Sequence, residues 1–240
     1  MRNRLILLFI LFQNFAYAQP QLRKVLFMGN SYTSMNNLPY TIAQMAASTG
    51  DSLYYEYYYP GGYTLENHYN DSNATHLIKH GGWDYVVMQD QSQRPSFPNY
   101  DYYYGYALSN LIREYNPCAR PVFYMTWGRK NGDASNCGVW PPVCTYEGMD
   151  SLLAQTYVDL ASFNEAQVSP VGAVWKNIRL NYPLIELYQS DESHPSVAGT
   201  FAAACSFYAS LYKKDPALSA FNPGLSVADA DVIKQTAKTI

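Results

Sequence analysis

The sequence predicts a single-domain, three-layer α/β/α sandwich built on a mostly parallel sheet of about five strands. Two observations carry this. Short apolar runs of strand length alternate along the chain with stretches of helical length, the pattern of a parallel sheet covered on both faces. No internal repeat or low-complexity linker divides the 240 residues, a length that suits one domain.

The elements follow in order. Lys24-Val-Leu-Phe-Met28 is an apolar run stopped by Gly29 and reads as a buried strand. Pro39 opens a helical stretch to about Thr49, which Gly50 ends. Leu53 to Tyr59 is an aromatic-rich strand closed by Pro60-Gly61-Gly62. Tyr85 to Met88 and Pro121 to Met125 are the third and fourth strands, with a helix over Tyr102 to Tyr115 between them. Met149 to Gln167 reads as a long helix, and Val168 to Val174 as a short fifth strand followed by a helical turn near Trp175. Val197 to Tyr212 is the closing helix.

Composition excludes several classes. With 16 Lys+Arg against 19 Asp+Glu the net charge is −3, which provides no basic field for nucleic acid. Charged residues are only 15%, too few for a disordered tail or a coiled coil. The 24 tyrosines instead suit stacking and hydrogen bonding to polar organic ligands.

Residues 1–18 read as an export leader. Arg2 and Arg4 precede the apolar run Leu5 to Phe12, and Ala16-Tyr17-Ala18 makes a small-residue cleavage site. That run is shorter than the ~20 residues a spanning helix needs. The chain from residue 19 to 240 is then the exported domain, without membrane insertion, and its net charge becomes −5 once both arginines are removed. In an oxidising compartment Cys137 and Cys144, within a Gly- and Pro-rich segment that folds back on itself, are expected to form a disulfide. Cys118 and Cys205 stay open between a second pair and buried thiols.

In open parallel sheets, ligands bind outside the carboxyl ends of the strands. The polar residues of interest lie there: Asn30-Ser31 after the first strand, Gly61-Gly62 after the second, Gln89 to Gln93 after the third and Trp127-Gly-Arg129 after the fourth. Asp191 and His194 come just before the last helix. A serine hydroxyl needs an adjacent base to act as a nucleophile, and His194 can supply it. Asp191, three residues earlier, can fix the imidazole tautomer and stabilise the imidazolium. Gly62 can bring its N–H to a ligand because no side chain intervenes.

Four segments in this order resemble the SGNH (GDSL-like) hydrolase superfamily, over Lys24 to about Tyr212. Phe27-Met-Gly-Asn-Ser-Tyr-Thr33 is similar to its first block, with Asn30 in place of the usual aspartate before the nucleophile, Ser31. Pro60-Gly-Gly-Tyr-Thr64 is similar to the second, whose glycine supplies an oxyanion-hole amide, here Gly62 with Gly61 as the alternative. Asp191-Glu-Ser-His-Pro195 resembles the Asp-x-x-His block. The third block departs from the pattern: counted from Asp84, the family's oxyanion asparagine falls on Gln93, with Gln91 the alternative. The resemblance implies a flavodoxin-like fold, a Ser31–His194–Asp191 triad, and an oxyanion hole of Ser31, Gly62 and Gln93. Asn30, Tyr63 and Trp127 are the candidate substrate contacts.

His68, His76 and His80 read as exposed polar histidines rather than metal ligands, and no motif implies a metal or an organic cofactor. Tyrosines near the active edge, with Trp127 and Trp140, are candidates for a sugar-stacking platform. The expected protein is an exported serine esterase acting on a small-molecule or glycan ester, acetylated carbohydrate foremost. A lipid esterase or thioesterase would want an apolar acyl groove. A decayed hydrolase scaffold that binds carbohydrate without turnover is the rival from outside enzymology.

Overall fold

The computed structural model describes residues 19–240; the leader read from residues 1–18 lies outside them. Five parallel strands, β1 (Leu22–Met28), β2 (Ser52–Tyr58), β3 (Tyr85–Met88), β4 (Arg120–Tyr124) and β5 (Gln167–Ser169), form one sheet in the order β2-β1-β3-β4-β5. Side chains alternate across each strand. In β1, Val25 and Phe27 enter one apolar layer while Leu26 and Met28 enter the other. The first layer is closed by α2 (Leu38–Ser48), α7 (Val171–Asn181), α8 (Val197–Tyr212) and α9 (Val227–Thr239). The second is closed by α3 (Leu65–Asn70), α4 (Ser72–His80), α5 (Tyr103–Tyr115) and α6 (Tyr146–Phe163). One-turn helix α1 (Ser31–Ser34) follows β1 directly.

This is the predicted doubly covered parallel sheet. It reverses direction at β1, since the chain moves outward to β2 and then back to β3. The loops after β1 and β3 therefore diverge and leave a crevice at their carboxyl ends.

Three local expectations are corrected. The fifth strand is three residues long, and the expected strand through Val174 is instead helix α7. Val171, Val174, Trp175 and Ile178 recur at helical spacing and all face the core, a period that outweighs their β-branched composition. Helix α9 was not expected. It is capped by the Ser226 side chain and buries Ala230, Ile233 and Ala237 along one stripe. Finally, His68 is fully buried, while His76 and His80 are exposed as expected. Cys137 and Cys144 are bonded, with Cα atoms 4.6 Å apart, and Cys118 and Cys205 are free. No helix among the described residues is long and apolar enough to cross a membrane.

Candidate active site

The β1–α1 junction delivers Ser31 at the crevice. Gly29 ends the strand where a side chain has no room: an added Cβ would lie 2.2 Å from Thr33 Oγ1 and 2.8 Å from Gln89 Oε1. Asn30 then caps α1, its side-chain oxygen accepting from Tyr32 N–H at 3.1 Å. Gln89 at the end of β3 locks this turn. Its Oε1 accepts from Asn30 N–H at 3.1 Å and Thr33 Oγ1 at 2.8 Å, and its Nε2 donates to Asn30 Oδ1 at 2.8 Å.

Ser31 Oγ lies 2.8 Å from His194 Nε2, and His194 Nδ1 contacts Asp191 Oδ2 closely. The carboxylate only accepts, so Nδ1 carries the proton and Nε2 is left free to accept from the serine. Asp191 Oδ1 also takes the Ser193 N–H at 3.1 Å and the His194 N–H at 2.9 Å. Partial burial pushes the Asp191 carboxyl up, but the bonds from His194 and from these two amides outweigh it and hold its pKa below the usual value. Asp191-Glu-Ser-His194 is thus a tight turn in which one carboxylate orients both backbone and ring.

Under the imidazole lies an aromatic column. The Tyr32 ring meets His194 edge-on at 5.4 Å and stacks on Trp127 at 4.7 Å, which stacks on Trp175 at 3.7 Å. Tyr32 OH is 2.6 Å from Ser193 Oγ, and Trp127 Nε1 donates to Ser193 O at 3.1 Å. Both aromatic rings thereby brace the histidine turn. This corrects the expected role of Trp127: it is fully buried as a support and offers no face to substrate.

The cleft itself has a volume of about 200 Å3, and its lining includes Asn30, Ser31, Gly62, Gln91, Arg129 and His194. Gly62 adopts φ +72°, and neither its N–H nor that of Ser31 donates to an acceptor among the described residues. The two expected glutamines separate. Gln91 lines the cleft, whereas Gln93 Nε2 donates to the buried Asp133 Oδ2 at 2.6 Å. Both amides are engaged, since Gln91 Nε2 donates to Ser92 Oγ at 3.2 Å and to Gln93 Oε1 at 3.1 Å, but the expected donor Gln93 does not line the cleft and the alternative, Gln91, does.

The remaining candidates are structural in their contacts. Asn30 spends its side chain on Tyr32 N, Gln89 Nε2, Tyr63 O and Asp90 O, so its amide holds the loop rather than facing a ligand. Tyr63 directs its hydroxyl to Asp71 at 3.0 Å and is not among the cleft residues. Trp140 donates to Ser96 O at 3.0 Å. Among the described residues no cluster of side chains suits a metal.

Gln89 and Asp90, which the sequence marks only as polar residues after the third strand, form the framework behind the site. Asp90 is buried and accepts from Tyr100 OH at 2.6 Å and Gln91 N–H at 2.7 Å, which fixes where Gln91 begins; burial pushes its carboxyl up. The available signal was two polar residues closing a strand whose other four positions are buried and apolar.

No family model and no curated protein sequence matches the chain. Solved structures do. A DUF4886-family protein from Bacteroides uniformis superimposes with a TM-score of 0.78 at 17% identity, over 91% of this chain and 94% of that one. A protein from Slackia heliotrinireducens assigned as an SGNH hydrolase gives 0.66 at 26% identity, over 79% and 98%. A lipase/acylhydrolase from Enterococcus faecalis gives 0.56 at 16% identity, over 78% and 93%. Its sheet order, its doubly covered layers and these likenesses show that the chain has the fold of the SGNH hydrolases.

Proposed function

We propose that the protein is an exported serine esterase that removes short acyl groups, acetyl foremost, from carbohydrate-type alcohols. The observation that carries this reading is the 2.8 Å contact from Ser31 Oγ to His194 Nε2, continued to Asp191 and opening on a small polar cleft. In the reaction, Ser31 Oγ attacks the ester carbonyl while His194 takes its proton. The tetrahedral oxyanion is held by the N–H groups of Ser31 and Gly62 and by the Gln91 amide. Collapse expels the alcohol, to which His194 returns the proton; water then releases the acyl group from Ser31 by the same steps in reverse.

A short acyl group fits a cleft of about 200 Å3, and polar lining by Gln91 and Arg129 favours a hydrated alcohol over a lipid chain. Export is supported by the Cys137–Cys144 bond, since such bonds persist in oxidising compartments. The test is labelling by a fluorophosphonate probe followed by an acyl-length series. Labelling at Ser31 with turnover falling from acetyl to octanoyl esters is expected. No labelling would mean a binding protein on a hydrolase scaffold, and a preference for long chains would mean a lipid esterase.

A further inference from the structure

Among the cleft residues, Arg129 is the one permanently charged cation. It stands two residues beyond the braced Trp127 and its backbone is held firmly. A Cβ on Gly128 would lie 2.9 Å from Tyr146 O, so that segment packs directly against α6. One residue on, Lys130 N–H donates to Glu192 O at 2.9 Å, tying the segment to the turn that carries His194. The arginine is therefore registered against the triad by main-chain contacts on both sides.

Its side chain is partly sheltered, at 29% exposure, and faces Asp133, which is fully buried. The approach is Nη1 to Oδ1 at 3.5 Å and makes no hydrogen bond: Arg129 Nε and Asp133 Oδ1 both lack a hydrogen-bond partner. Asp133 spends its other oxygen on Gln93 Nε2 and Asn136 Nδ2, each at 2.6 Å. The aspartate thus supplies counter-charge that keeps a sheltered guanidinium tolerable, without using up the donors of its fork. Nε is buried, but the two Nη groups make no hydrogen bond among the described residues, and a guanidinium with those donors unspent, lining the same cleft as Ser31, is matched by a planar oxyanion such as a carboxylate, which it can take bidentately.

We propose that Arg129 is a specificity-determining residue that holds a carboxylate of the substrate, so that the preferred substrates are esters of acidic alcohols, with acylated uronic acids as the carbohydrate form. This rests on the esterase reading above. The cleft is small, so the carboxylate must lie within a few bonds of the ester. The chain as a whole is acidic, at −3, so long-range attraction does not help an anion and the preference must arise at short range. It should therefore appear mainly in KM.

The experiment compares an acetylated methyl glucuronoside with the equally acetylated methyl glucoside. For the wild type, kcat/KM should favour the acid by about tenfold or more, as expected for a charge-assisted pair. Arg129→Gln should bring that ratio to one or below, and Arg129→Lys should keep part of it, because the charge stays while the fork is lost. Since Arg129→Gln leaves Asp133 without counter-charge, the lysine variant also controls for a disturbed fold. A wild-type ratio at or below one, with both esters hydrolysed, overturns the proposal. If neither is hydrolysed, calorimetry on Ser31→Ala decides. Unacetylated methyl glucuronoside binding about tenfold tighter than methyl glucoside, and losing that margin on adding Arg129→Gln, supports it; equal or absent binding overturns it. Failure of the esterase reading shows separately, as loss of fluorophosphonate labelling at Ser31.

Discussion

Ser31, His194 and Asp191 were readable from sequence because each sits in a short block whose geometry is local. A serine three residues past a strand end is presented at the sheet edge, and Asp-x-x-His closes a turn through the N–H groups of Ser193 and His194. Ser31→Ala and His194→Ala should each cut ester turnover roughly a thousandfold or more with an unchanged circular dichroism spectrum, since nucleophile and base act as one unit. Asp191→Asn should retain more activity if Tyr32 and Ser193 keep the ring in place. The glutamines were harder to read. The two-residue alternation that made Gln91 and Gln93 equivalent requires an extended backbone. At Gln93 the chain has already turned, with φ −101° and ψ −31°, into a short 3-10 turn over Arg94–Ser96. Its amide consequently meets Asp133 rather than the cleft. Gln91→Ala should lower kcat by about 100-fold with little change in KM, the signature of a donor that acts on the developing oxyanion. Gln93→Ala should be milder, and finding the reverse order on one substrate at one pH would return the role to Gln93.

At the level of elements, strands were legible where four or more apolar residues run together, as in β1, β3 and β4. They were not where a strand is three residues long: β5 passes through Pro170 into α7 almost at once. Helix α9 leaves little trace in the sequence because its stripe is built largely of alanine, with a weak periodic signal. The loop from Asp133 to Cys144 is an element of another kind. It has one short 3-10 turn, yet its ends are joined by the Cys137–Cys144 bond, Asp133 N–H donates to Val143 O at 2.7 Å, and Cys137 N–H returns to Asp133 O at 2.9 Å. Closing a loop of seven residues should stabilise the fold by ~2 kcal/mol through the unfolded chain. Replacing both cysteines with serine should therefore lower the urea midpoint. Because the same loop positions Asp133 against Arg129, the preference for acidic over neutral esters should weaken in that variant more than turnover of the neutral ester does. An unchanged selectivity ratio would detach the loop from substrate recognition.

The whole molecule is organised around the reversal of strand order at β1, which opens the crevice where Ser31 emerges, and a buried histidine sits directly behind that point. His68 on α3 has no exposure, and its Nε2–H donates to the carbonyl of Gly29 at 3.0 Å, one residue before the cap of α1. The other ring nitrogen has no hydrogen-bond partner, and Tyr58 and Tyr63 close over the ring edge-on. Burial is the largest influence on its titration and disfavours the cation; the bond to Gly29 and the nearby Asp71 oppose it, and the pKa is lowered to about 4 from 6.5. The unfolded chain therefore binds a proton at this site more readily than the native one. Stability should be complete above the unfolded value and should fall with pH through the window from about 6.5 to about 4, by up to ~3 kcal/mol if the ring must charge in place. Urea unfolding at pH 7.5 and pH 4.5 measures this loss. His68→Gln can keep the bond to Gly29 without a titrating group, so the variant should show a smaller difference between the two pH values than the wild type. An equal difference would place the acid sensitivity in other groups and leave His68 as a neutral spacer beneath the nucleophile turn.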